Sequence, residues 1–148
     1  MRPVSVIGIA QLPVRKAYPD GLIEMGARVA RAAIADAGLE EVDALYVGNM
    51  LADELQHQKH LAAFIADEAG LLGVEALSAG AASAAGAAAL RLGYLAVASG
   101  DLDIAVVVGV EKMSEGAAIP ALAKALDARR EVPMGANMIS RNADLMRS

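Results

Sequence analysis

The sequence contains no cysteine and no tryptophan, and its aromatic residues are limited to one phenylalanine and three tyrosines. Without cysteine the chain has no disulfide, no thiolate ligand for a metal and no thiol nucleophile. The scarcity of aromatic rings weighs against the base stacking on which single-stranded nucleic-acid binding depends. The net charge of −5 at pH 7 weighs against binding to a phosphate backbone as well. We therefore expect no nucleic-acid partner.

Long uninterrupted apolar runs are also scarce. The N-terminal stretch MRPVSVIGIA is short and soon becomes polar, which does not fit a secretory signal peptide. Arg91 interrupts the longest apolar run, so no segment is expected to span a bilayer. Together with the lack of cysteine, these features predict a soluble, cytoplasmic protein without a membrane partner.

Short β-branched runs alternate along the chain with longer segments of helical periodicity. The predicted strands are Val4–Ile9, Ala44–Val47, Val74–Ala82 and Ile104–Val110. The predicted helices are Leu22–Ala37, Lys59–Ala69, Ser83–Ser99, Pro120–Ala128 and Ala136–Met146. This alternation predicts an α/β fold with a parallel-rich sheet and helices on both faces. Functional loops should then lie at the carboxyl ends of the strands, at Gly48-Asn49, Ser83 and Gly109–Lys112.

Helix Ser83–Ser99 is expected to be apolar on nearly every side. Only Arg91 and Tyr94 interrupt its run of small and aliphatic residues. A helix that is apolar all round is normally buried on all sides, and a chain of 148 residues offers little material to cover it. We therefore expect a homo-oligomer, a dimer or a higher even-numbered assembly, formed through this helix.

Two local patterns carry competing interpretations. His57 and His60 follow Asp53 and Glu54 in the sequence DELQHQKH, and histidines at this spacing could share a helix face and bind a metal. No third ligand is evident, so a solvated polar start of a helix is the favoured interpretation. Ser83 lies in AASAAG, which lacks the first glycine of the G-x-S-x-G motif of hydrolases. From its spacing alone, Ser83 is expected to be a helix N-cap.

Three segments resemble the N-terminal half of the thiolase superfamily, most closely the acetyl-CoA acetyltransferases of the sterol-carrier-protein-type and archaeal branch. They are GNMLADELQHQKHLAAFIADEAGL (Gly48–Leu71), SAAGAAALRLGYLAVASG (Ser83–Gly100) and VVVGVEKMS (Val106–Ser114). Aligned in this way, the acyl-accepting cysteine of the family falls on Ser83. The resemblance implies a thiolase-like half over residues 1–115 and a shortened helical tail, similar to the start of the family's lid region, over residues 116–148. It also implies a coenzyme A thioester as the substrate, no covalently bound cofactor and no metal.

The chain departs from the family's pattern at the reacting position itself. A serine is a poor nucleophile unless an adjacent base activates it, and the family's second cysteine and catalytic histidines belong to a C-terminal half that these residues do not include. We therefore expect a self-assembling half-thiolase module that is inactive alone. A second copy would take the place of the other half, so that helix Ser83–Ser99 packs against its symmetry mate in a homodimer.

Other interpretations of the same resemblance stay open. An acyl-CoA acyltransferase or thioesterase could use Ser83 as its nucleophile if a partner chain completes the site. The cysteine-free, alanine-rich sequence fits an engineered fragment, and it fits a natural truncated paralogue equally well.

Overall fold

A three-stranded parallel sheet forms the centre of the computed structural model, which describes residues 1–147. Its strands are β1 (Ala44–Gly48), β2 (Glu75–Ala79) and β3 (Ala105–Gly109), in the order β2-β1-β3. Gly48 lies opposite Ala79 on one side and Gly109 on the other, so all three strands end at the same edge. The predicted α/β fold with a parallel sheet is confirmed.

Strand β1 is buried along its whole length because elements cover both of its faces. Leu45 and Val47 belong to one apolar cluster, with residues of the helices on the first face. Ala44 and Tyr46 belong to a second cluster on the opposite face. This alternation along one strand explains why β1 reads as a continuous apolar run.

Six α-helices surround the sheet in the described part of the chain. They are α1 (Leu22–Asp36), α2 (Ala52–Leu55), α3 (Leu61–Ala69), α4 (Ala85–Ser99), α5 (Ala118–Ala123) and α6 (Met138–Leu145). Helices α1 and α3 share the first apolar cluster with β1 and β3. Helix α4 covers the other face, where Ala89 belongs to the second cluster. Helices therefore lie on both faces, as predicted.

The predicted strand Val4–Ile9 is wrong, because the segment pairs with no strand in residues 1–147. Its backbone is held by helix ends instead. The Arg2 N–H donates to the Ala98 oxygen at 2.9 Å, and the Ile9 N–H donates to the Asp36 carboxylate at 2.9 Å. The segment thus links the ends of α4 and α1, and its β-branched side chains are largely exposed.

The C-terminal helices form close to their predicted positions. Helix α5 begins two residues before Pro120, which is tolerated in a first turn because the N–H groups there lack intrahelical acceptors. Helix α6 opens on a capping box, in which Asn137 accepts from the Ser140 N–H at 2.9 Å and Ser140 accepts from the Asn137 N–H at 3.0 Å. The domain boundary after residue 115 stays a prediction, and Ser148 lies outside the described residues.

One segment of the described chain, Ala82–Ser99, passes a length and composition test for crossing a membrane. Arg91 does not exclude the segment by composition, because the mean hydropathy of its 18 residues is 1.2. Core helices of soluble proteins pass the same test, and α4 packs on the sheet through Ala89. Only 22% of the segment is buried, however, so much of its surface faces outward.

Tyr46 should make the free energy of unfolding decrease at alkaline pH. Its hydroxyl donates to Glu75 Oε1 at 2.5 Å. Burial, with a contribution from the Glu75 carboxylate, raises the pKa of Tyr46 to about 12. The unfolded chain loses this proton at a pH of about 10, so the stabilisation is complete below that pH and is lost as the pH rises towards 12.

Urea unfolding at a series of pH values measures this effect. The free energy of unfolding of the parent should fall more steeply above pH ~10 than that of a Tyr46→Phe variant, which has no phenol to ionise at this position. Parallel curves for the two proteins would contradict the prediction.

Candidate functional site

The carboxyl edge of the sheet carries a cavity of about 350 Å³. The loop after β1, the turn before α4 and the loop after β3 line it. Parallel strands direct these loops to one edge, which is where α/β folds place their ligand sites. Sequence reasoning predicted this edge, and the structure brings Asn49, Ser83 and Glu111 together around one cavity.

Ser83 lies in the turn between β2 and α4. The preceding residue, Ala82, has a left-handed backbone with φ of +46°, which is uncommon for a residue with a Cβ atom. Ser83 Oγ lies 4.0 Å from Met50 Sδ, across the cavity from its own turn. The expectation that Ser83 is an N-cap is wrong, because Ala84 precedes the first helical residue and no side chain caps the helix. The hydroxyl of Ser83 is therefore left to face the cavity.

Gly48 allows the first turn of α4 to lie directly on the end of β1. A Cβ atom at this position would stand 2.5 Å from the Ala85 carbonyl oxygen and 2.7 Å from Gly86 Cα. These are backbone atoms that cannot move aside independently of the helix. The absence of a side chain at Gly48 thus sets how closely the start of α4, and with it Ser83, approaches the sheet edge.

Asn49 and Glu111 join the loops after β1 and β3. Asn49 Nδ2 donates to the Val110 oxygen at 2.7 Å and to Glu111 Oε1 at 2.9 Å. Glu111 Oε2 accepts from the Met50 N–H at 2.9 Å. Asn49 Oδ1 accepts from the Ala52 N–H at 2.8 Å, at the start of α2. The sequence predicted that both residues lie in functional loops, but it did not predict that they bind each other. One feature could have indicated this contact, which is that each residue lies just beyond the end of its strand.

Lys112 anchors the loop after β3 from the other side. Its side chain is 7% exposed, and its ammonium group donates to the Asp20 oxygen at 2.7 Å and to the Glu115 carboxylate. This hydrogen bond from Lys112 is the main cause that lowers the pKa of Glu115. Gln56 Nε2 donates to the Lys112 oxygen at 2.8 Å. Lys112 thus holds the loop in place through bonds to neighbouring segments.

His57 and His60 do not share a helix face. Both have a left-handed backbone with φ of +54°, and His60 immediately precedes α3 instead of lying within it. Their side chains are exposed. Within residues 1–147, no group of three or more His, Cys, Asp or Glu side chains is close enough to hold a metal ion.

A larger cavity, of about 640 Å³, lies on the far side of the loop after β3. Residues 10–16 and Tyr18 form one wall, and residues 109–114 form the other. The guanidinium groups of Arg15 and Arg28 lie 5.5 and 5.7 Å from the centre of the Tyr18 ring. Ser83 does not border this cavity, so the residues after β3 separate it from the candidate site.

Known proteins match this chain over nearly its whole length. A family model described as the thiolase N-terminal domain matches residues 15–142. An acetyl-CoA acetyltransferase of Methanothermobacter thermautotrophicus is 40% identical over 150 residues, which cover 99% of this chain and 39% of that protein. An acetyl-CoA acetyltransferase of Methanocaldococcus jannaschii is 37% identical over 111 residues, which cover 72% of this chain and 28% of that protein.

A solved structure has a similar fold. The 3-oxoacyl-[acyl-carrier-protein] synthase III of Aquifex aeolicus superimposes on 67% of this chain and 32% of its own, with a TM-score of 0.59 and 25% sequence identity. The chain therefore spans less than half the length of each of these three proteins.

Proposed function

Because this chain belongs to the thiolase family and matches its N-terminal domain, we propose that Ser83 stands at the family's acyl-accepting position in an acyltransferase-type domain with little acyl transfer of its own. The observation that carries the proposal is the place of Ser83, in a turn between a strand and a long helix, with its hydroxyl facing a cavity. Such exposure at a helix N-terminus suits an acyl acceptor, because the partial positive charge there favours an anionic nucleophile.

The chemistry of the cavity supports low activity. A serine hydroxyl needs an adjacent base before it attacks an ester or thioester. Among residues 1–147, the cavity is lined by no histidine, and its one ionisable side chain is Glu111. Both carboxylate oxygens of Glu111 already accept hydrogen bonds, from Asn49 and from the Met50 N–H. The proposed substrate is a coenzyme A thioester, as the names of the two archaeal relatives suggest. The cytoplasmic location stays a prediction, and an engineered origin and a natural truncated paralogue both stay open.

Incubation with acetyl-CoA, followed by intact-mass spectrometry, tests the proposal. The parent chain and a Ser83→Ala variant should both remain unacetylated at residue 83, because the parent hydroxyl lacks a base. A stable acetyl group on Ser83, absent from Ser83→Ala, would instead support an acyltransferase or thioesterase that uses the serine. In that case a partner chain would be sought as the source of the missing base.

The outer face of α4 supports a second part of the proposal, that a second copy of this chain covers it. Ala85, Ala89 and Gly93 turn towards the sheet and are buried. Leu90 and Tyr94 lie outside this buried stripe and are 57% and 46% exposed. Exposed apolar side chains grouped on one helix, here around the exposed Arg91, are typical of interaction surfaces in soluble proteins. An isologous dimer would pack α4 against its own symmetry mate.

A Leu90→Glu substitution should disrupt this assembly. Loss of one buried leucine weakens an interface by about 2 kcal/mol, and a twofold interface contains the change twice. The dissociation constant should therefore rise about a thousandfold. Light scattering at micromolar concentration should find a dimer for the parent and a monomer for the variant.

Leu72→Glu is the matched control for this test. Leu72 is 83% exposed in the turn between α3 and β2, away from α4. The same added charge at this position should leave the mass in solution unchanged. A parent that is monomeric at this concentration would refute the assembly proposal, and so would a Leu90→Glu variant with the parent's mass.

A further inference from the structure

Asn49 and Glu111 form a bridge over the edge of the sheet beside Ser83. They follow β1 and β3, which pair along their whole length and end together at Gly48 and Gly109. Backbone pairing holds the strands and continues for one more bond, from the Val110 N–H to the Gly48 oxygen at 3.2 Å. Beyond them, the side-chain bonds of Asn49 and Glu111 fix the separation of the two loops.

The bridge reaches Ser83 through Met50. Glu111 Oε2 accepts the backbone N–H of Met50 at 2.9 Å, which fixes where the Met50 side chain begins. The Met50 sulfur then lies 4.0 Å from Ser83 Oγ. A change at Glu111 would therefore move the wall that faces residue 83, although no hydrogen bond joins Glu111 and Ser83 themselves.

We propose that Asn49 and Glu111 are positioning residues that hold Met50 against residue 83 and so set the geometry of attack at that position. The proposal rests on the proposed function, in which residue 83 is the acyl acceptor. A purely structural role would predict a loss of stability alone. A positioning role predicts a change in reactivity at residue 83 in variants that remain folded.

A Ser83→Cys background makes this reactivity measurable, since the parent chain contains no cysteine and the new thiol is therefore the single one. The probe is iodoacetamide, and the alkylation rate of the single thiol is measured as a function of pH. The plateau rate at high pH belongs to the fully formed thiolate and reports access and geometry. The pH midpoint reports charge around the thiol. Urea unfolding of each variant checks that it is folded.

Two single variants and their combination test the bridge in this background. Glu111→Gln loses the acceptor for either Asn49 or Met50, and Asn49→Asp places two carboxylates against each other. Each should change the plateau rate several-fold. In the double variant the new amide at position 111 can donate to the new carboxylate at position 49, and its oxygen can accept from Met50. Both bonds of the bridge are then kept, while the bond to the Val110 oxygen is replaced by a contact between two acceptor oxygens. The plateau rate should return towards that of the background.

Folded single variants with the plateau rate of the background would overturn the proposal, and so would a double variant no closer to the background than either single variant. If the single variants unfold, Glu111→Asp takes their place, because it keeps both acceptor oxygens on a side chain one carbon shorter. The folded Glu111→Asp variant should change the plateau rate several-fold, and an unchanged rate would overturn the proposal. Acetylation by acetyl-CoA is measured separately on the same Ser83→Cys protein. A thiol that iodoacetamide modifies as expected but acetyl-CoA does not would refute the proposed function and leave the positioning role intact.

Discussion

A Ser83→Cys variant should accept an acetyl group from acetyl-CoA roughly a thousandfold or more faster than the parent chain. A thiol of ordinary pKa, about 8.5, is already partly ionised near neutral pH, and a helix N-terminus increases that fraction. In the reaction, the thiolate at position 83 attacks the thioester carbonyl carbon, the bond from that carbon to the coenzyme A sulfur breaks, and coenzyme A leaves as the thiolate. The parent hydroxyl stays protonated and has no adjacent base.

A Ser99→Cys variant provides the matched control, because Ser99 ends the same helix that begins beside Ser83. Both side chains are exposed, but the negative end of the helix dipole disfavours a thiolate at residue 99. Time courses of intact mass, with peptide mapping of the acetylated site, should find rapid acetylation of the thiol at position 83 and slow acetylation of the thiol at position 99. Equal rates at the two positions would contradict the prediction, as would a folded Ser83→Cys protein that acquires no acetyl group.

Gly48→Ala should destabilise the fold by about 3 kcal/mol, since overpacking at a rigid contact typically has an effect of this size. The new methyl group would approach the Ala85 carbonyl carbon and Gly86 Cα to 2.7 Å each, below any normal contact. Because both partners are backbone atoms, relief requires a shift of the whole first turn of α4 away from β1. Urea unfolding should therefore give a lower midpoint with an unchanged slope.

Gly109→Ala is a close control for this substitution, since Gly109 is the direct partner of Gly48 in the sheet. A methyl group at Gly109 would meet no atom within 4 Å. Its effect on the free energy of unfolding should stay within about 0.5 kcal/mol, as for other surface substitutions. Equal destabilisation by the two alanines would show that glycine is needed at strand ends for its backbone freedom and not for the close approach of α4.

The alternation of apolar runs with helical segments was sufficient to predict the sheet, but not to predict which apolar runs become paired strands. Ala44–Val47 and Ile104–Val110 became paired strands because each has helices to bury its side chains. Val4–Ile9 has the same β-branched composition, yet composition carries no information about which strand is available to pair with it. In the fold, helix ends satisfy the backbone at both ends of that segment, and it stays outside the sheet.

The sequence predicted where the residues of the candidate site lie, but not which of them contact each other. Ser83 and the two strand-end loops could be placed at one edge, because parallel strands share a direction. The bridge between Asn49 and Glu111 depends on a pairing across 62 positions of sequence, and no local pattern encodes such a distance. The N-cap expectation for Ser83 failed because α4 begins at Ala85, so that the N-cap position falls on Ala84, one residue after the serine.

The parallel sheet also determines the order and the rate of the folding steps. In the sheet Ala44 pairs with Glu75 and with Ala105, so no hairpin can start the process and each pairing must first close a long loop. Helices α1 and α4 can form locally within microseconds, whereas the strands must wait for chain segments that are distant in sequence. During that delay the apolar side chains of strand β1 are exposed to solvent. Refolding should therefore be slow, and its yield should fall as the protein concentration rises, because unpaired strands of different molecules compete for one another.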